Sequence, residues 1–141
     1  MKYLYNWLKN FLGIESTPEK QNQQFAGVVV GKILEIAKHP NADRLQITIV
    51  ETHSNASVQK LQIVCGAPNI EVGQLVPVAL VGAKLPGGME IKEAEIRGEK
   101  SFGMLCAKDE LGLGEDHAGI FILDEKAEVG MEFAKYINLY K

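Results

Sequence analysis

The chain has 141 residues, 46% hydrophobic and 23% charged, with two cysteines and a formal net charge of −3. This is the profile of one globular domain, long enough to bury a core without disulfides or a structural metal, and it leaves little room for a second. The negative charge argues against a uniformly basic nucleic-acid binder.

The charge is uneven, however. Residues 1–60 carry seven basic and five acidic side chains, net +2, residues 61–104 are net −1, and residues 105–141 are net −4. A phosphate responds to charges within about 8 Å at physiological salt, so the first half can still hold a local basic face. No apolar run approaches the roughly 20 residues of a membrane span. The opening stretch is broken by Asn6, Lys9 and Asn10, where a secretory signal would stay apolar. Cys65 and Cys106 make no disulfide framework and read as reduced thiols, although one buried bridge stays open by count. Together these features predict a cytoplasmic protein that does not cross a membrane.

In chain order, residues 1–13 come first. Leu4, Trp7, Leu8, Phe11 and Leu12 form the stripe of an amphipathic helix ending at Gly13. Such a short helix is marginal alone and must dock, on this chain's core, a neighbouring domain, a partner or a membrane surface. Lys2 and Lys9 give it little charge for lipid headgroups. Residues 14–25 are polar, contain Pro18 and read as a linker.

Residues 26–141 read as a β domain. Strands are predicted at 28–36, 45–51, 61–64, 75–81, 90–96 and 120–123, separated by turn-forming clusters such as His39-Pro40-Asn41, Gly66-Ala67-Pro68-Asn69 and Pro86-Gly87-Gly88. A helical turn is expected at 107–111, closed by Gly112, and a terminal helix at 131–137. Short strands with glycine corners suit a mainly β, five-stranded Greek-key barrel of the OB type, with a short N-terminal helix and short C-terminal helices.

Catalytic patterns are missing. The glycine-rich stretches match neither a phosphate loop nor a dinucleotide fingerprint, and no zinc spacing occurs. His53 sits near an expected hairpin tip and reads as solvated. Cys106 follows Met104-Leu105 and reads as a packed thiol, since burial makes a thiol inert. No cofactor or metal is implied. Basic residues instead gather in loops. Lys38, His39, Asn41 and Arg44 crowd the first interstrand turn, Lys84 precedes Pro86, and Arg97 and Lys100 flank a turn followed by Ser101, Phe102 and Met104. OB-folds bind nucleic acid through such loops, with cations on phosphates and apolar groups against bases. Basic loop residues are also commonly only solvated, and Asn41 and Asp43 could simply cap their turn.

Six ordered motifs carry a resemblance. They are His39-Pro40-Asn41-Ala42-Asp43-Arg44-Leu45, Ile63-Val64-Cys65-Gly66-Ala67-Pro68-Asn69, Leu85-Pro86-Gly87-Gly88, Arg97-Gly98-Glu99-Lys100-Ser101-Phe102-Gly103-Met104-Leu105-Cys106, Glu110-Leu111-Gly112-Leu113 and Asp116-His117-Ala118-Gly119-Ile120. From about Phe25 to Ile137 the chain resembles the tRNA-binding OB-fold domain, in the form found near the N-terminus of the bacterial phenylalanine–tRNA ligase β subunit. Tyr5-Asn6-Trp7-Leu8-Lys9 extends the likeness to the first helix.

The resemblance implies a tRNA-binding module that is not itself an enzyme, because the family's active site lies in the other subunit. Its implied partners are tRNA, the remaining synthetase domains and the α subunit. By this likeness Ser101-Phe102-Gly103-Met104 matches a Ser-x-Gly-Met motif implicated in tRNA contact, and Arg44 matches a basic position after Asn-Ala-Asp. The sequence departs from the family in a shorter segment before Phe25, in Phe102 at a position often small or polar, and in stopping at Lys141. The last point reads as a fragment, a truncated gene or a free-standing relative. Two other readings stay open: a docking module for synthetase assembly and a homodimeric tRNA-binding chaperone.

Overall fold

The computed structural model describes residues 25–140 except 55, 56, 87, 116 and 117. The helix expected at 1–13, and all of the linker but Phe25, lie outside the described residues. Seven strands follow in order: β1 (Val28–Lys38), β2 (Gln46–Ser54), β3 (Ser57–Cys65), β4 (Leu75–Ala79), β5 (Ala94–Ile96), β6 (Glu99–Ser101) and β7 (Met104–Leu105); helix α1 (Phe133–Tyr140) closes the order.

The fold is mainly β. Five strands make one curled antiparallel sheet in the order β3-β2-β1-β4-β7, and β5 pairs with β6 in a separate hairpin. The curl has its origin in β1. Its first half pairs with β4, from Val28↔Ala79 to Lys32↔Leu75, and its second half pairs with β2, from Lys32↔Glu51 to Lys38↔Gln46. The register slips between Ile33 and Glu35, and an extra residue there bends the strand and increases its twist. Gly31 lies just before the bend, where a Cβ would stand 2.6 Å from methyls of Val50 and Val78. Glycine is needed there because both valines close over the backbone.

The buried side chains fall into two clusters. Ile33, Val50, Ile63, Val76, Val78 and Leu105 fill the concave side of the sheet. Phe25, Val28, Val30, Phe121, Phe133 and Tyr136 join the start of β1 to α1. Backbone bonds fix that junction: Val30 N–H donates to Met131 O at 2.9 Å, and Gly130 N–H to Val30 O at 2.8 Å.

Two expected elements are replaced by irregular backbone. The helical turn at 107–111 is a pair of turns, with bonds from Leu111 N–H to Lys108 O and from Gly112 N–H to Asp109 O. Glu110 accepts the Ala107 N–H at 2.9 Å through its side chain, and Gly112 leaves at φ 73°, so no α-helical register develops. Only one C-terminal helix is therefore present among the described residues. Residues 120–123 form no strand. Their N–H groups go to separate places, Phe121 to Cys106 O and Leu123 to Leu75 O, so no ladder forms.

β6 and β7 are separated by Phe102 and Gly103, where the chain crosses from β3 to β4. Phe102 N–H donates to Gln62 O at 2.8 Å, while Met104 and Leu105 pair with Ala79 and Val78. Gly103 has φ 141°, and a Cβ there would lie 2.8 Å from Ala79 O. Gly103→Ala is expected to cost about 1–3 kcal/mol through this clash and the backbone strain. A lower urea midpoint at unchanged slope measures it, and an unchanged midpoint refutes the close approach.

Candidate nucleic-acid interface

The β1–β2 turn and the β5–β6 turn are joined by buried chemistry. His39 is 2% exposed, and its Nε2 donates to Ile96 O at 2.9 Å. Its Nδ1 accepts the Asn41 N–H at 2.9 Å, which fixes the neutral tautomer carrying hydrogen on Nε2. Asn41 Nδ2 in turn donates to Arg97 O at 3.1 Å. The imidazole therefore clasps one turn to the other from a buried position, where the sequence reading expects it at the RNA-facing surface. Arg97 holds the rare φ of 52° for a non-glycine residue. With Gly98 beside it at φ 91°, this reverses β5 into β6 in two residues and leaves the Arg97 side chain exposed.

Ser101 also faces inward. It is 3% exposed, accepts the Val64 N–H at 3.0 Å and donates to Gly103 O at 3.1 Å. Gln62 Nε2 donates to Lys100 O at 2.9 Å. These bonds seat the 100–103 segment on β3, with Lys100 exposed and Phe102 and Met104 half-buried. Ser101 is thus a tie, whereas Lys100, Phe102 and Met104 keep surface available.

Lys38 and Arg44 line one groove of about 570 Å³ with Asp43, Gly66, Ala67 and Pro68. The turn at 39–45 and the hairpin at 94–101 are thus tied to each other by the clasp in addition to their own backbone bonds. Lys84 belongs elsewhere. It sits in the 80–91 excursion that follows β4, bridged to Glu90, and none of the bonds joining the other two turns involves it. The 66–68 segment is legible in the sequence only as a turn, yet it forms the floor shared by this groove and a second cavity beside Met104.

The remaining reactive groups are occupied by packing. Cys65 and Cys106 are free and buried. Burial, with the Glu110 carboxylate adding to it, pushes the Cys106 thiol far above its ordinary range; burial likewise raises Cys65, against a lowering bond from the Ala67 backbone. Neither is set up as a thiolate nucleophile. His53 is exposed, 3.5 Å from a Glu51 oxygen, and covers Gly130. Among the described residues no cluster of three or more His, Cys, Asp or Glu could hold a metal ion, and no helix is long and apolar enough to cross a membrane.

Comparison with known proteins matches residues 28–132 to the family described as "Putative tRNA binding domain". The phenylalanine–tRNA ligase beta subunit of Chlorobaculum tepidum is 45% identical over 160 aligned positions, covering 98% of this chain and 19% of that protein. The same subunit from Aromatoleum aromaticum is 50% identical over 115 positions, covering 82% of this chain and 14% of its own length. The chain thus spans about a fifth or less of the curated relatives it matches. Among solved structures, the C-terminal domain of Plasmodium vivax p43 superposes with a TM-score of 0.53 at 22% identity, over 76% of this chain and 58% of that one. At that identity the likeness concerns the fold.

Proposed function

Because the chain belongs to the tRNA binding domain family, we propose that it holds tRNA, as a non-catalytic module, through the clasped pair of turns. The carrying observation is the His39–Asn41 clasp, which bonds the turn that carries Lys38 and Arg44 to the turn that carries Arg97 and Lys100. Exposed Lys and Arg in fixed loops suit phosphates, with Arg44 as a planar fork for bidentate contact. Asn41, Phe102 and Met104 would meet sugars or an unstacked base. Lys84 would add a phosphate contact from its own excursion, and His39 and Ser101 would act through the positions they fix.

In this reading the curled sheet is an OB-type barrel of Greek-key connectivity. The bonds from the 99–105 segment to both β3 and β4 support that closure. The relatives' names support a place within a phenylalanine–tRNA ligase β subunit, which in this reading works in the cytoplasm. Its remaining domains and the α subunit would then be neighbours, with residues 1–13 as a docking helix, 14–25 as linker and 26–141 as the RNA-binding domain. A homodimer is the alternative assembly, which light scattering on the purified chain distinguishes.

With a net charge of −3, binding should be modest and strongly salt-dependent, each released phosphate contact adding about −0.7 to the log–log slope. Titration of labelled tRNA between 50 and 200 mM salt is expected to show a slope of about −3.5, for the five phosphate contacts of Lys38, Arg44, Lys84, Arg97 and Lys100. Absence of binding at low salt by the folded chain refutes the function.

A further inference from the structure

A second cavity, of about 290 Å³, shares the Gly66–Pro68 segment as lining with the Lys38–Arg44 groove. Its wall includes Val64, Cys65, Pro68, Met104 and Ile120, with Glu110 as the carboxylate among its lining residues. This volume is at the lower limit of ligand clefts, the size for one planar ring system and not for a whole nucleotide. The Cys65 thiol, raised by burial, stays neutral and serves as apolar surface. Met104 offers the polarizable thioether that packs well against aromatic rings.

Glu110 decides what can enter. One of its oxygens accepts the Ala107 N–H at 2.9 Å, which anchors the side chain and leaves most of its lone pairs unused by that bond. A carboxylate repels phosphate and carboxylate ligands and accepts only from donors. Of the four RNA bases, guanine alone presents two adjacent donors, N1–H and N2–H, on its Watson–Crick edge; adenine, cytosine and uracil set an acceptor beside their donor. We propose that this cavity takes a single unstacked guanine of the bound RNA, its donor edge on Glu110 and its ring against Met104 and Pro68, with the adjoining phosphate in the Lys38–Arg44 groove. The inference rests on the RNA-binding reading above and adds a base preference to it.

The test uses fluorescein-labelled uridine heptamers whose central residue is guanosine, inosine, adenosine or uridine, titrated against the full chain. A bidentate base contact discriminates against bases that cannot make it, so the guanosine heptamer should bind roughly tenfold tighter than the uridine one. Inosine lacks the N2 donor and should lose most of that preference with the protein unaltered. Glu110→Gln keeps an oxygen for Ala107 but replaces an acceptor with a donor, and should abolish the guanosine preference while leaving uridine-heptamer binding unchanged. Equal binding of all four heptamers overturns the inference alone, as does a preference that persists with inosine. No binding of any heptamer or of tRNA overturns both this inference and the function it rests on.

Discussion

Arg44→Ala combined with Arg97→Ala is expected to weaken tRNA binding by about a hundredfold at low salt and to flatten the salt dependence. The size is the lower end of what removing two charge-assisted hydrogen-bonding groups gives, each worth about 1.5–3 kcal/mol at 1.4 kcal/mol per decade of affinity, as suits exposed side chains. The slope should fall in magnitude by about 1.4, because two phosphates are no longer neutralised. Both side chains are exposed, and the clasp uses the Arg97 carbonyl, which alanine keeps. Stability should therefore change by no more than about 0.5 kcal/mol, checked by thermal melting. If this domain served only synthetase assembly, its docking would survive the double substitution and so would whatever weak RNA affinity it had. An unchanged Kd and slope would refute the two-turn interface.

How far the sequence foretells this surface depends on what each residue does. Lys38, Arg44, Arg97 and Lys100 are legible because cations in a glycine- and proline-bounded turn stay at the surface. His39 is misplaced by the sequence for a physical reason. A histidine in a polar turn reads as solvated, and only the return of Ile96, 57 residues later, supplies the carbonyl that makes its burial tolerable. Ser101 is misplaced likewise, since the Val64 amide that it satisfies belongs to a distant strand. Lys84 shares residue type with the cluster but not position. The long strands are clear from their Val and Ile content, and 28–36 and 75–81 enclose most of β1 and all of β4. By contrast, 120–123 has strand composition and lacks a partner ladder, because Cys106 and Leu75 each take one of its amides. Composition records what a segment favours, whereas pairing depends on which neighbour arrives. Glu110 and the 66–68 segment stand out in the sequence only as parts of motifs. Their shared cavity needs three separated stretches of chain, and no local pattern encodes it.

The largest stability effect is expected from Phe133→Ala, at about 3–5 kcal/mol. Phe133 is fully buried at the start of α1, with its ring edge-on to Phe25 at 5.1 Å and to Phe121 at 6.2 Å, and tilted against Tyr136 at 5.9 Å. Removing it deletes the centre of the cluster that joins α1 to β1, and each aromatic pair adds about 0.5–1.5 kcal/mol to the transfer loss. A domain of this size holds about 5–15 kcal/mol in total, so most of a low-end value would go, with a fall in Tm of about 10–20 °C. Phe133→Leu keeps part of the apolar volume while losing the three ring pairs, and should cost less than the alanine change. The concave-face cluster and the clasp share none of these rings. Assayed well below its Tm, the alanine variant should bind tRNA with the normal affinity, the reverse of the arginine pair. If affinity instead fell in step with Tm from Phe133→Leu to Phe133→Ala, α1 would be setting the geometry of the two turns and the separation of core from interface would be wrong.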